Sequence, residues 1–194
     1  MIIVITPEEF IKNETEIINE LFQEGLDLLH IRKPLLNSVG MVDFIQKINS
    51  KFHHQLVLHS HYELAESFNI SRFHFREDYR HNSLYKSFKD RIISTSVHDI
   101  EVFNELNEDW NYVFISPVFP SISKKGYGEK SNILNDIEKR NNSNVKLIAL
   151  GGINDQNISK AFESDIDGVA LLGAIWESTE PIKIFKKCTQ SVLL

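Results

Sequence analysis

The chain has 194 residues, 42% hydrophobic and 25% charged, with a net charge of −6. That is enough apolar material for one large core, and without a basic stripe there is no footprint for nucleic acid. One cysteine, Cys188, excludes an internal disulfide. No apolar run reaches the roughly 20 residues that a membrane span needs, and Met1 to Thr6 lacks the basic start and cleavage site of a signal peptide. The expectation is a cytoplasmic protein with no membrane partner.

Ile2 to Ile5 reads as a buried strand turned out by Thr6-Pro7. Asn13 to Glu24 carries Ile17, Ile18, Leu21 and Phe22 at helical spacing, with Gly25 placed for a C-terminal cap. Leu26 to Ile31 is a second strand, Val39 to Lys51 a helix, and Gln55 to Leu58 a third strand. Tyr62 to Phe68 reads as a helix, Arg72 to Phe75 as a short strand, and Ser83 to Phe88 as a helical turn. Arg91 to Val97 and Asn111 to Ser116 are strands separated by a helix over Ile100 to Leu106. Ile133 to Arg140 is helical, Val145 to Leu150 a strand, Ile158 to Glu163 a helix and Gly168 to Leu172 the last strand. Pro181 to Val192 closes the chain as a helix with proline at its start.

Continuous apolar strands alternating with helices mean a parallel sheet covered on both faces. Eight such units predict an α/β protein, a closed (β/α)₈ TIM barrel in a single domain over residues 1–194. An open doubly wound sheet is the alternative. In a barrel, function sits where strands run into the following helices.

The most informative exit follows Tyr112 to Ile115. There Ser116 to Gly128 forms a loop of prolines, hydroxyls, lysines and glycines, including Ser121, Ser123 and Lys124. Backbone amides, hydroxyls and a lysine at a strand exit suit a bound phosphate, although a plain surface turn has the same composition. Gly151-Gly152 and Gly173-Ala174 end the last two strands, where barrels often build a phosphate site. Alternation puts His30 and Arg32 on one face, opposite Ile31. His59 and His61 share a side, but no cysteine or well-spaced carboxylate accompanies them, so no metal site is expected. His98 follows Ser94-Thr95-Ser96-Val97 directly at the functional end, where imidazole can exchange a proton near neutral pH.

Ser96-Val97-His98, the run Ser116 to Lys124, Gly151-Gly152-Ile153 and Gly168 to Ile175 resemble, in order, successive motifs of the thiamine-phosphate synthase and thiazole tautomerase (TenI-like) superfamily. His30-Ile31-Arg32 resembles its strand-two motif. The resemblance implies a (β/α)₈ barrel that holds a thiazole phosphate through the loops after strands seven and eight. It implies His98 and Lys124 as catalytic groups. For substrate contact it implies His30, Arg32, His59, Ser96, Ser121, Ser123, Gly151, Gly152, Gly173 and Ala174.

Three positions depart from the pattern of the synthases. Those enzymes carry Asn-Asp-Arg after strand three, with the aspartate a magnesium ligand, where this chain has His59-Ser60-His61. A second ligand aspartate beyond the strand-four His falls on Tyr79, beside Glu77 and Asp78. The lysine closing the strand-two motif falls on Pro34, with Lys33 adjacent. Magnesium prefers hard oxygen ligands, and Ser or Tyr replaces a carboxylate poorly.

These departures put a thiazole tautomerase first, an isomerase using His98 as acid–base group and no cofactor. A divergent thiamine-phosphate synthase is the alternative, a transferase using magnesium in which Glu77, Asp78 or Lys33 takes over the missing contacts. A barrel that binds thiazole phosphate without turnover is the non-enzymatic alternative. The expected partner is a small phosphorylated thiazole, with self-association into a homodimer left open.

Overall fold

In a computed structural model, which describes residues 1–81, 84–122, 126 and 128–192, eight parallel strands close on themselves. They are β1 (Ile2–Ile5), β2 (Leu28–Ile31), β3 (Leu56–Leu58), β4 (Arg72–His74), β5 (Ile92–Val97), β6 (Tyr112–Ile115), β7 (Lys146–Leu150) and β8 (Gly168–Leu171). Each pairs with its sequence neighbours, and Ile3 of β1 lies between Leu28 of β2 and Ala170 of β8, which closes the ring. The chain is a (β/α)₈ barrel, and the open sheet is ruled out.

Alternation along the strands sorts the apolar residues into two cores. Ile2, Val4, Leu29, Ile31, Val113, Ile115 and Leu171 face outward against the helices, while Ile3, Ile5, Leu28, Val57, Phe114, Ile148 and Ala170 fill the barrel. Each fully buried Ile or Leu contributes about 1.5–3 kcal/mol. Some of the inward positions nearest the strand ends are apolar, Ile5 and Phe114 among them, and others are polar. His30, His74 and Ser94 lie inside the barrel, all buried, next to Tyr112.

The outer layer is α1 (Glu14–Gln23), α2 (Ser38–Gln46), α3 (Ile100–Asn104), α4 (Ile133–Asp136), α5 (Ile158–Phe162), α6 (Gly173–Trp176) and α7 (Pro181–Val192). Helix α1 ends as the sequence predicts: Gly25 adopts φ +92°, its N–H reaches Phe22 O at 3.2 Å, and Leu26 N–H reaches Leu21 O at 3.0 Å. Those are the two bonds of a Schellman cap. Asn13 precedes the helix in the left-handed region instead of joining it, a conformation asparagine tolerates.

Several predicted helices are shorter than expected. The segment over Tyr62 to Phe68 is a 3₁₀ turn, Tyr62–Leu64, because the Tyr62 hydroxyl donates to the carbonyls of His59 (3.1 Å) and His74 (2.9 Å) and holds the segment against the strand ends. Gln55 belongs to the 3₁₀ helix Ser50–Gln55, not to β3, and its amide donates to Leu26 O and Asp27 O. Leu84–Phe88 is also 3₁₀, Ser83 lying outside the described residues. Helix α6 has only four residues, too few to leave a periodic signature, and its Trp176 Nε1 donates to Ile5 O at 2.6 Å.

Lys33 does not replace the missing mouth lysine. It points outward, as its place after Arg32 in the alternation dictates, and only 1% of its side chain is exposed. Its Nζ lies 2.8 Å from the Glu14 carboxylate and donates to Glu9 O at 3.0 Å, with the Phe10 and Phe44 rings over it. Burial pushes the Glu14 carboxyl up and the Lys33 ammonium down, while their mutual attraction opposes both shifts. Lys33→Met strands a buried carboxylate and is expected to cost about 3–5 kcal/mol in urea unfolding. The double variant Glu14→Leu/Lys33→Met should recover most of that loss. A double variant as unstable as the single one would show that the lost charge partner is not the cause.

Candidate active site

A cavity of about 550 Å³ opens at the C-terminal ends of the strands. Its walls include Arg32, His59, Ser96, His98, Ser121, Gly151, Gly152 and Gly173, so one mouth collects eight of the residues picked out in the sequence. His30 is not among the lining residues: it is fully buried one layer down, because β2 places it at an inward position below the strand end. Ala174 falls in a neighbouring depression with Asn154 and Glu177, since α6 turns away from the cavity after Gly173. Ser123 and Lys124 lie outside the described residues. Glu77, named from the sequence as a replacement contact in the synthase alternative, lines the cavity, and so do His74, Arg76, Phe114 and Ser116, for which the sequence gives no expected contact. For His74 the signal was available, as it ends β4 on the face opposite Phe73.

The wall formed by the last strands depends on glycine. Val118 N–H reaches Leu150 O at 2.9 Å and Phe119 N–H reaches Gly151 O at 3.1 Å, laying the loop after β6 across the turn after β7. Gly152 has φ +65°, and a Cβ there would stand 2.1 Å from Pro120 O. Only glycine fits such a position. The N–H groups of Gly151, Gly152 and Gly173 take no acceptor among the described residues, so the wall presents unspent donors.

His98 sits half-exposed at the rim, beside the start of the loop after β6. Its Nδ1 donates to Ser116 O at 2.8 Å, which in the neutral ring leaves Nε2 with the lone pair. Nε2 stands 3.9 Å from Glu77 Oε2, and Glu77 is bound by Arg80 at 2.5 Å. Asp78 instead pairs with the exposed Arg76 at 3.4 Å, and Tyr79 packs against Phe75.

The floor is a cluster of imidazoles. His30 Nδ1 is 2.9 Å from His59 Nε2, and His30 Nε2 is 2.7 Å from the Tyr112 hydroxyl. His59 stacks on His74 at 4.2 Å between centroids, and His74 Nδ1 meets Ser94 Oγ at 2.9 Å. Burial is the largest cause holding all three histidines well below the ordinary imidazole range, down to about 3 for His74. Neighbouring positive charge, chiefly His74 for His30 and His59 and Arg32 for His74, acts in the same direction. Burial likewise raises the Tyr112 phenol.

A model of the family described as thiamine monophosphate synthase matches residues 2–175, which takes in every residue lining the cavity. The chain belongs to that family. It is therefore one of the enzymes of thiamine biosynthesis. Among its relatives, a thiamine-phosphate synthase of Clostridium tetani is 26% identical over 180 residues, 89% of this chain and 86% of that one. One from Staphylococcus haemolyticus is 25% identical over 176 residues, 86% of this chain and 83% of that one. The crystal structure of thiamine phosphate pyrophosphorylase from Bacteroides thetaiotaomicron superposes with a TM-score of 0.79 at 28% identity, covering 100% of this chain and 98% of that one. The Pyrococcus furiosus thiamine phosphate pyrophosphorylase shares the fold, with a TM-score of 0.80 at 18% identity over 99% of this chain and 95% of that one.

The depressed imidazoles of this family member give a pH dependence with a definite sign. An unfolded chain takes up protons on His30, His59 and His74 below about pH 6.5, while the folded floor refuses them until far lower pH. The contribution to stability is therefore complete above that pH and is lost as pH falls toward 3, by up to about 1.4 kcal/mol per pH unit for each histidine. Denaturant midpoints of metal-free protein should fall between about pH 7 and pH 4, and His74→Gln should shallow the slope. An unchanged slope in that variant would place the acid sensitivity elsewhere.

Proposed function

We propose that this enzyme is a thiamine-phosphate synthase, joining the methylene of a pyrimidine diphosphate to the ring nitrogen of a thiazole phosphate. The observation that carries the reading is the family match through residue 175, which embraces the whole cavity, together with relatives named thiamine-phosphate synthase that match over most of their length. The cavity volume supports it too. About 550 Å³ lies in the range of sites that enclose drug-sized ligands, more than one small ring and its phosphate require.

In this reading the unspent amides of Gly151, Gly152 and Gly173 hold the thiazole phosphate. The methylene–oxygen bond breaks with both electrons leaving on the diphosphate, and the thiazole nitrogen donates its lone pair to the methylene. No proton is lost, and the ring takes up the positive charge. Arg32 and Arg76 are placed to receive the growing negative charge of the leaving group. Their present partners, Glu8 at 2.6 Å and Asp78 at 3.4 Å, are surface pairs worth at most about 1 kcal/mol, so either arginine can turn to a diphosphate at small cost.

Magnesium, which the resemblance to the synthases implies, does not fit the residues present. Among the described lining residues Glu77 is the one carboxylate, and Arg80 already holds it. Ser60 and Tyr79 occupy the expected ligand positions, with Tyr79 packed on Phe75. The arginines therefore carry the neutralisation in the steps above.

One observation favours the tautomerase as a second reading. His98 is anchored through Nδ1 with its Nε2 facing Glu77, an acid–base arrangement that needs no leaving-group charge. Mixing pyrimidine diphosphate with thiazole phosphate and following thiamine phosphate and pyrophosphate separates the two. The synthase should form both products. Gly152→Ala, which forces the β6 loop off the phosphate wall, should weaken thiazole phosphate binding about 10–100-fold. If no coupling occurs but the thiazole isomer is converted, and His98→Ala cuts that conversion by about 10²–10⁴-fold, the enzyme is the tautomerase. Thiazole phosphate binding with neither reaction would leave a binding barrel.

A further inference from the structure

We propose that His30, His59 and His74 form a binding site for a nitrogen-preferring divalent cation of the zinc class, with the remaining coordination position open to the cavity. One ring nitrogen from each residue lies within 4.8 Å of the others. Zinc–nitrogen bonds of about 2.0–2.1 Å put neighbouring tetrahedral ligands about 3.3 Å apart, so His30 Nδ1 and His59 Nε2, now 2.9 Å apart, need only part slightly. A cation between them replaces the single proton the two nitrogens share. For His30 that proton moves to Nε2, where the Tyr112 hydroxyl oxygen accepts it.

The surroundings fit the role. Metal-binding histidines are held by a hydrogen bond at the ring's other nitrogen. Tyr112 supplies it for His30. Ser94 supplies it for His74, because its own proton is directed to Phe73 O at 3.3 Å and its oxygen accepts from His74 Nδ1. His59 has only His30 as a side-chain hydrogen-bond partner among the described residues. It is also half-buried at the cavity floor, so it is the ring free to turn out of its stack on His74 and complete the set. Three neutral imidazoles with no carboxylate select against magnesium and toward zinc-class ions. Two guanidinium groups bear on the cluster, but Arg32 is paired with Glu8 at 2.6 Å and Arg72 donates to His54 O at 3.0 Å.

The test of the site uses no substrate. Chelator-treated full-length protein is titrated with Co²⁺ and followed by visible absorption, then with Zn²⁺ as competitor. One equivalent of Co²⁺ should bind with the intense absorption of four-coordinate cobalt, be displaced by Zn²⁺, and withstand excess Mg²⁺. His59→Gln and His74→Gln should each weaken binding at least about 100-fold, and Tyr112→Phe about 10–100-fold. His54→Gln, at an exposed histidine, should change nothing. Circular dichroism establishes that each variant is folded. His59 is half-buried, so His59→Gln remains decisive if His74→Gln fails to fold. No binding, binding unaffected by His59→Gln, or displacement by Mg²⁺ overturns the proposal. None of these results bears on whether the enzyme makes thiamine phosphate.

Discussion

The contact on which the site most depends is one where a side chain is forbidden. Pro120 O occupies the space that a Cβ on Gly152 would take, and this closeness lets the loop after β6 lie against the turn after β7. Through it, two loops distant in sequence become one wall with amide donors to spare. Barrel closure then brings the opposite rim into register: β1 pairs with β8, so Arg32 and His59 from the first half face Gly151 and Gly173 from the second.

Most of the architecture was legible because each strand is a short apolar run ended by polar or glycine residues. Alternation also told which residues face the barrel axis: His30 in, Ile31 out, Arg32 in. Carried one residue further it would have sent Lys33 outward, where it is found beside Glu14. What the sequence could not give was depth. His30 and Arg32 share a face, yet one is sealed at the bottom and the other lines the mouth, because the rim falls between them at the end of β2 and alternation does not mark that point. The imidazole cluster was hidden for a related reason. Its members come from the ends of three neighbouring strands, β2, β3 and β4, and meet only when those strands pair in register, so His59 invited comparison with His61, two residues away, instead of with His30 and His74. His61 in fact bonds Leu36 O at 2.9 Å. Helix α6 escaped because four residues carry no period.

Ser60 and Tyr79 stand where the resemblance to the synthases puts oxygen ligands, and the positive charge at the mouth is carried by Arg32 and Arg76, each in a surface pair. Guanidinium grips a phosphate with two parallel hydrogen bonds, a directional hold that a hydrated metal ion does not impose.

The short helix α6 gives the molecule a built-in optical reporter. The chain has two tryptophans. Trp110 is buried away from the site against Tyr85, with ring centroids 4.7 Å apart. Trp176 is half-buried, and its indole N–H is fixed to the carbonyl of Ile5, a residue whose side chain lines the cavity. A ligand that shifts Ile5 reaches one indole through that bond and leaves the other in its apolar niche. Tryptophan emission of the unmodified enzyme is then expected to carry a constant background and a component that follows loading without a label.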